Sequence, residues 1–261
     1  MPAVILVTND DGVHAAGLHA LATALDGLGD VYVVAPDREQ SAVGHALTLH
    51  RPLRVTQVGE RRFSVNGTPS DCVNLAVLGF LPERPVLVAS GINHGSNLGD
   101  DVTYSGTVSA AMEGTLLGVP SMAVSQASAG EAGFESAGEV ARLVASRLLV
   151  EGLPAKTLLN VNAPAGPVSG IRMTRLGHRV YREKIVQETD PRGLPYYWIG
   201  AGPPEWNDDE GSDISAVNRG QASVTPLHLD LTHYGALGRM ADWESGLNSL
   251  LNCCYHSMLP V

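Results

Sequence analysis

Short apolar runs alternate with helical patterns through the first two-thirds of the chain. The first run, Val4-Ile5-Leu6-Val7, contains no polar residue, which is typical of a strand buried on both faces of a parallel sheet. Similar runs, each predicting a strand, occupy residues 31–35, 86–89, 121–124 and 157–161. Between them, apolar residues recur every three or four positions, as at Leu18, Leu21, Ala22, Leu25 and Leu28. This alternation predicts an α/β fold with a parallel sheet and right-handed helical crossovers.

The same patterns predict where some elements begin and end. Ser70 or Asp71 is expected to cap a helix, and another helix is expected from about residue 106 to residue 117. Pro36 is expected to end the strand at residues 31–35, and Pro226 is expected to end a further strand at residues 222–225, because proline cannot donate a hydrogen bond to a neighbouring strand.

The pattern changes after Pro164. Residues 168–204 are richer in charged residues, tyrosine and tryptophan, which favours extended strands in a projecting β-hairpin arm. A last helix is predicted at about residues 243–251. We therefore expect a single α/β domain with a core at residues 1–165 and 214–232, an extended arm at 168–204 and a C-terminal helical tail at 239–261.

The formal net charge is −10, with lysine only at Lys156 and Lys184. This charge argues against nucleic acid as a stable partner and against an anionic membrane surface. The three cysteines do not form a disulfide framework, and the first residues lack the basic region of a signal peptide. No apolar stretch approaches the length of a transmembrane helix. We expect a cytoplasmic protein.

Polar residues follow the ends of the predicted strands. Asp10 and Asp11 come directly after the first strand, Ser41 follows the second, and Asn93 follows the third. The carboxyl ends of parallel strands meet at one edge of a sheet, where α/β proteins bind ligands. Adjacent carboxylates repel each other unless a cation lies between them, and an all-oxygen donor set selects Mg²⁺, Mn²⁺ or Ca²⁺. The alternatives are an ordinary Asp-Gly turn and ordinary loop hydrogen bonds.

Ser105-Gly106-Thr107 lies at a predicted helix start and is interpreted as an anion site. Glycine allows close approach of a ligand to the backbone, and the first helical turn offers free N–H groups. A plain N-cap by Ser105 or Thr107 is the alternative, and it is compatible with anion binding. A metal and this helix end would hold a phosphate from two sides. His14, His45 and His94 are further acid–base candidates, although loop histidines are more often simply solvated.

Several ordered motifs together resemble one known family, the SurE (survival protein E) family of 5′/3′-nucleotidases. The resemblance extends over about residues 3–232. It is carried by Thr8-Asn9-Asp10-Asp11-Gly12, Ala35-Pro36-Asp37-Arg38 with Ser41, Gly67-Thr68-Pro69-Ser70-Asp71-Cys72, Ser90-Gly91-Ile92-Asn93 with Asn97, Tyr104-Ser105-Gly106-Thr107-Val108 through Met112-Glu113-Gly114, Asn160-Val161-Asn162-Ala163-Pro164 and Val224-Thr225-Pro226-Leu227.

The resemblance implies a Rossmann-like, three-layer core and a metal-dependent phosphatase that hydrolyses nucleoside 5′-monophosphates, with 3′-monophosphates as further candidate substrates. It implies one divalent ion per subunit, Mg²⁺ or Mn²⁺, and a metal-activated water as the nucleophile. The implied metal ligands are Asp10, Asp11, Ser41 and Asn93, of which Asp10 and Asp11 are also the catalytic candidates. The implied phosphate contacts are Asn97, Ser105, Gly106 and Thr107. The family forms homodimers or homotetramers.

Other functions stay open on the residues alone. The chain could be a broader phosphomonoesterase or polyphosphatase, or an aspartate could form a covalent phosphoryl intermediate. A non-enzymatic phospho-receiver module also places acidic pairs after a first strand. Such a module needs an acceptor aspartate after a middle strand and a lysine after a late strand. Here the middle strand ends in Ser90-Gly91-Ile92-Asn93, and neither lysine follows a late strand.

Overall fold

The computed structural model describes residues 3–127, 133–180, 184–201 and 205–256. The chain divides into two compact units, Met1–Leu227 and His228–Val261. The first unit contains nearly all of the regular structure and every residue of the predicted site. In the part of the chain that the structure describes, no helix is long and apolar enough to cross a membrane.

Strands and helices alternate along the first unit. The strands are β1 (Val4–Thr8), β2 (Asp30–Pro36), β3 (Val55–Gly59), β4 (Arg62–Val65), β5 (Leu87–His94), β6 (Ser121–Gln126), β7 (Thr157–Ala163), β8 (Ile171–Met173), β9 (Arg179–Val180), β10 (Lys184–Thr189), β11 (Pro195–Ala201), β12 (Glu205–Trp206) and β13 (Ala222–His228). The α-helices are α1 (Ala16–Leu25), α2 (Pro69–Leu75), α3 (Gly106–Leu116), α4 (Glu135–Glu151) and α5 (Asp213–Asn218). A π-helix at Ala76–Phe80 continues α2, and a 3₁₀ helix at Gly99–Thr103 precedes α3.

One nine-stranded sheet organises the unit, in the order β3-β4-β2-β1-β5-β6-β7-β13-β8. Strand β1 pairs in parallel with both β2 and β5, so that Ile5 lies between Val31 and Leu87. The pairs β5–β6 and β6–β7 are also parallel, whereas β3 adds an antiparallel edge to β4. The predicted α/β class is confirmed.

Helices cover both faces of the sheet. On one face, Ile5 and Val7 of β1 pack in a core with residues of α1 and α4, including Leu18 and Val140. On the other face, Leu6 belongs to a core that includes Cys72, Val73 and Ala110 of α2 and α3. Successive side chains of a strand point to opposite faces, so the unbroken apolar run at residues 4–7 supplies both cores. This makes three layers.

Some element boundaries differ from the sequence predictions. The cap of α2 is Thr68, not Ser70 or Asp71: its hydroxyl accepts from the Asp71 N–H, and the Asp71 carboxylate accepts from the Thr68 N–H. Strand β2 ends at Pro36, as expected, whereas β13 continues past Pro226 to His228. Helix α1 ends at Leu25, so Leu28 lies beyond it. The β3–β4 hairpin was missed because its polar, largely exposed residues lack a clear alternation.

Within residues 168–204, the strands take part in three different arrangements, one of which is the short antiparallel pairing of β9 with β12. Strand β8 joins the main sheet beside β13. Strands β10 and β11 form a separate antiparallel pair, which we call the β10–β11 hairpin. Several large apolar side chains of this hairpin are exposed: Ile185, Tyr197, Trp198 and Ile199.

The second unit contains two helices, α6 (Tyr234–Arg239) and α7 (Trp243–His256). On α7, apolar residues recur with helical spacing at Trp243, Leu247, Leu250 and Leu251, and all four are exposed. This unit therefore presents an apolar helical stripe at its surface.

Candidate active site

A cleft of about 590 Å³ lies at the carboxyl ends of β1, β2 and β5. Among the residues that line it are six of the eight predicted site residues: Asp10, Asp11, Ser41, Asn93, Asn97 and Ser105. The other two, Gly106 and Thr107, lie directly behind Asp10 at the start of α3. The parallel order β2-β1-β5 brings these separate sequence segments to one edge of the sheet.

The turn after β1 is held by Asn9. Its side chain donates to the Gly12 carbonyl (3.1 Å) and accepts from the Gly12 N–H (3.2 Å), which closes the turn around the two aspartates. Gly12 has φ of +100°, and a Cβ there would stand 3.2 Å from the Arg38 backbone. Asn9 thus sets the direction of Asp10 and Asp11. The sequence patterns assign Asn9 no role, although an Asn-Asp-Asp-Gly turn is a signal that could have indicated its hydrogen bonds to Gly12.

Asp10 is buried against the start of α3. Thr107 Oγ1 donates to Asp10 Oδ1, and a Cβ on Gly106 would stand 2.8 Å from Asp10 Oδ2. Gly106 therefore lets the helix start approach the carboxylate. Burial raises the pKa of Asp10 above its ordinary value, although the hydrogen bonds from Thr107 oppose that shift. The Thr107 side chain is itself fully buried and serves Asp10 rather than lining the cleft.

Asp11 is less buried than Asp10 and lines the cleft. Its pKa is raised to about 6, first by burial and then by the neighbouring Asp10 charge, while the His94 backbone opposes the shift. The two carboxylates are thus unfavourable as a bare pair of anions. A cation between them would remove that cost, as the sequence argument requires.

Ser41 and Asn93 contribute neutral oxygen atoms to the cleft. Ser41 Oγ donates to Glu39 Oε1 (2.7 Å), so its lone pairs are the part that a cation could use. Asn93 Nδ2 donates to the Gly95 carbonyl (2.8 Å), which makes its amide oxygen the atom that Asn93 could offer. Two carboxylates, a hydroxyl and an amide oxygen suit a hard divalent cation.

Of the three candidate histidines, only His94 lines the cleft that contains these oxygen donors. Among the described residues, no group of three or more His, Cys, Asp or Glu side chains could hold a metal ion. His94 lines the cleft, but its ring packs edge-on against Phe134 at 6.4 Å between centroids. His14 is exposed, and His45 pairs with Glu113. Any metal here would depend on the oxygen donors, which fits Mg²⁺ or Mn²⁺ better than zinc.

Asn97 is fixed by asparagines of the neighbouring strand β7. Asn160 and Asn162 donate to the Asn97 carbonyl (2.8 and 3.1 Å), and Asn162 Oδ1 accepts from the Asn97 N–H (2.8 Å). The Asn97 side chain donates to Ser125 Oγ (2.8 Å). Asn160 and Asn162, to which the sequence motif assigns no role, position the loop that carries Asn97.

Ser105 caps α3, because its hydroxyl accepts from the Val108 N–H at 3.1 Å. It also lines the cleft, so a cap and an anion contact are compatible at this residue. The positive end of α3 therefore faces the same space as the carboxylates. The chain is thus a three-layer parallel α/β protein with an oxygen-rich, acidic cleft beside a helix N-terminus.

Comparisons with known proteins agree with this class. The family model described as Survival protein SurE matches residues 5–183. The 5′-nucleotidase SurE of Pelobacter propionicus is 54% identical over 92% of this chain and 98% of its own length. The 5′-nucleotidase SurE of Heliobacterium modesticaldum is 49% identical over 94% and 93%, respectively. The crystal structure of the SurE protein from Aquifex aeolicus, 46% identical, superposes with a TM-score of 0.83 over 92% of this chain and 99% of that one. The chain belongs to the SurE family.

Proposed function

We propose that this chain is a 5′-nucleotidase, a phosphatase that hydrolyses nucleoside 5′-monophosphates to a nucleoside and phosphate. The observation that carries the proposal is the close similarity to relatives named 5′-nucleotidase SurE, at 53–55% identity over 92% of the chain. Nucleoside 3′-monophosphates are proposed as further substrates, since the sequence resemblance extends to enzymes of both specificities.

One divalent cation per subunit, Mg²⁺ or Mn²⁺, would be held by Asp10, Asp11, Ser41 and Asn93. The support is the chemistry of the donors: four oxygen-bearing side chains line one cleft, and the two carboxylates have raised pKa values without a cation. When bound, such a cation neutralises phosphate charge and activates water as a nucleophile.

The protein side chains have different proposed roles in metal binding, proton transfer and phosphate binding. Asp10 is fixed in one orientation by Thr107, which suits a structural ligand. Asp11 is more accessible from the cleft and accepts the proton of the attacking water. Asn97 and Ser105, which line the cleft, bind the phosphate oxygens, and Gly106, at the start of α3, is proposed as a further phosphate contact. Thr107 contributes through Asp10, while the positive end of α3 stabilises the charge on the phosphoryl oxygens.

Two alternatives, a different mechanism and a broader substrate range, are distinguishable from this proposal. A covalent route would use Asp11 as the nucleophile and would leave a phosphoryl group on its carboxylate, detectable by trapping and mass spectrometry. A broader phosphomonoesterase or polyphosphatase would release phosphate equally well from substrates without a base. The cleft rim carries the exposed ring of Tyr104, which offers a surface for a nucleobase.

The oligomeric state and compartment are proposals of the same kind. We place the interface of a homodimer or homotetramer at the β10–β11 hairpin, because Tyr197, Trp198 and Ile199 are exposed there. A cytoplasmic location is supported by the low cysteine count and by the free, buried thiol of Cys72.

Phosphate release from a panel of substrates tests the function. The panel contains nucleoside 5′- and 3′-monophosphates, a simple phosphomonoester and inorganic polyphosphate, each with EDTA, Mg²⁺ or Mn²⁺. We expect release from nucleotides that requires a cation and exceeds release from the simple ester. Equal turnover of all monoesters would favour the broader enzyme, and full activity in EDTA would contradict the metal site.

A further inference from the structure

The segment that carries Ser41 depends on specific contacts for its position. We call residues 40–48 the Ser41 loop; it follows β2 and contains no strand or helix. At its start, the Gln40 N–H donates to the carbonyl of Asp10 at 2.7 Å. Ala42 and Gly44 then adopt positive φ angles of 57° and 62°. Such a conformation has no repetitive backbone hydrogen bonding to hold it, so its anchors decide where Ser41 lies.

The far end of the Ser41 loop is anchored by two helices. His45 Nε2 contacts Glu113 Oε2 of α3 at 2.8 Å. Thr68 Oγ1 donates to the Ala46 carbonyl at 2.7 Å, and the Thr48 N–H donates to Asp71 Oδ1 at 2.8 Å. The last two contacts use the capping residues of α2, which already has a structural role. Of these three contacts, the one between His45 and Glu113 lies nearest to Ser41 in sequence, and it connects the loop to the helix that begins against Asp10.

Glu113 is suited to hold the histidine. Its side chain is 6% exposed, whereas that of His45 is 31% exposed. Its other oxygen accepts from Asn74 Nδ2 at 2.7 Å, which fixes the carboxylate from a second side. The hydrogen bond from His45 holds the pKa of Glu113 below its ordinary value, against the opposing effect of burial. A rigid, buried acceptor thus faces a partly exposed ring on an irregular loop.

We propose that His45 and Glu113 are positioning residues, which hold the Ser41 loop so that Ser41 faces Asp10 and Asp11. The inference deepens the proposed function and rests on it, because Ser41 matters only as a ligand of that site. Without the ring contact, the loop would be anchored at Gln40 and again only from Ala46, and Ser41 would leave its place more often. Outer residues that orient metal ligands typically change metal affinity by about 10–100-fold.

Matched histidine variants test the proposal. His45→Ala removes the contact, while His45→Gln keeps a side-chain N–H that can reach Glu113. His50→Ala is the control, because His50 is an exposed histidine just beyond the loop. Asp10→Asn reports on the metal site itself. Mn²⁺ alone is titrated into each variant by calorimetry, and amide hydrogen exchange is followed in residues 41–48. Thermal melts establish that each variant is folded.

We expect His45→Ala to weaken Mn²⁺ binding by about 10-fold or more and to speed exchange in residues 41–48, with substantial recovery in His45→Gln. His50→Ala should match the parent protein in both measurements. Unchanged exchange in His45→Ala would overturn the proposal, and so would faster exchange with unchanged Mn²⁺ affinity. If Asp10→Asn binds Mn²⁺ normally, the proposed metal site is wrong and the positioning role is rejected with it. Only the Asp10→Asn titration distinguishes failure of the metal site from failure of the positioning role alone.

Discussion

The cleft and the β10–β11 hairpin both depart from the usual pattern of buried apolar and exposed polar side chains, but they do so in different ways. At the cleft, polar side chains such as Asp10, Asn160 and Asn162 are buried. Their hydrogen-bond partners come from the same chain: Thr107 serves Asp10, and the asparagines hold Asn97. On the hairpin, the large apolar side chains of Trp198 and Ile199 are exposed instead, at 63% and 86%.

The difference indicates which region finds its contacts within one chain and which needs a second molecule. A buried polar group is costly unless it is hydrogen-bonded, so the bonds that Asp10, Asn160 and Asn162 make within the chain indicate a preorganised site, although Asn160 Oδ1 has no partner among the described residues. A large exposed apolar surface indicates contact with another molecule. We therefore expect changes at the cleft to affect chemistry within each subunit, and changes on the hairpin to affect assembly.

The largest effect is expected for Asp10→Asn. Loss of this carboxylate should lower kcat/KM by about 100-fold or more, because even residues that only orient metal ligands are worth about 10–100-fold. Asp10 has a raised pKa, so its ionised form at pH 7 is unfavourable in the folded protein without metal. The melting temperature of Asp10→Asn in EDTA should therefore hold or rise. Asp26→Asn, at an exposed aspartate just past α1, is the control. An active Asp10→Asn enzyme would contradict the site.

A smaller effect is expected from the hydroxyl of Thr107. Thr107→Val removes the hydrogen bond to Asp10 while keeping the side-chain shape, and we expect kcat to fall about 10–100-fold. Thr107→Ser keeps the hydroxyl and should stay close to the parent enzyme. Ser105→Ala tests whether Ser105 is only a cap. Loss of an N-cap alone costs about 1 kcal/mol of stability and leaves turnover unchanged, whereas loss of a phosphate contact also lowers turnover. Steady-state kinetics and melting curves on the three variants decide; normal turnover in Thr107→Val would show that Asp10 does not need this partner.

Substitutions on the β10–β11 hairpin are expected to change the mass of the assembled protein rather than its turnover. Replacing Tyr197 and Ile199 together by serine should shift the protein to a smaller species, because it removes exposed apolar surface from the proposed interface. Val150→Ser is the control, since Val150 is an exposed apolar residue on α4, outside the hairpin. Light scattering gives the mass directly. The same mass before and after the double substitution would place the interface elsewhere or leave the chain a monomer.

The smallest effect concerns stability and pH through Glu113. Its pKa is lowered in the folded protein, chiefly by the hydrogen bond from His45. A lowered carboxylate pKa adds stability above the unfolded value of 4.5, and this stability is lost as the pH falls through the folded value. The parent protein should therefore be more stable than Glu113→Gln near pH 6, with a gap that closes below pH 4.5. Denaturant melts across this range measure it, and a constant gap would contradict the ionic role.

The sequence predicted the elements of the core because their signals are local. The apolar run at residues 4–7 and the periodicity from Leu18 to Leu25 both correspond to observed elements. The position of Asp10 and Asp11 after a buried strand was enough to place them at the sheet edge. The alternation of predicted strands and helices also implied a parallel sheet, which brings the ends of separate strands together.

Contacts between distant residues were beyond that reasoning. The sequence offered Thr107 as a phosphate contact, whereas its side chain binds Asp10, 97 residues away. The pairing of His45 with Glu113 spans 68 residues and has no periodic signal. The Thr68 cap was missed because three capping residue types stand close together, and only the backbone geometry distinguishes them. Single residues in loops depend on tertiary contacts that local patterns do not encode.

The anomalous signal of Mn²⁺ in crystals of the whole protein tests the central claim most directly. We predict one peak per subunit in the cleft, within about 2.0–2.6 Å of oxygen atoms from Asp10, Asp11 and Asn93, with the Ser41 hydroxyl on the same ion. A peak elsewhere, or an empty cleft in crystals grown with millimolar Mn²⁺, would contradict the account.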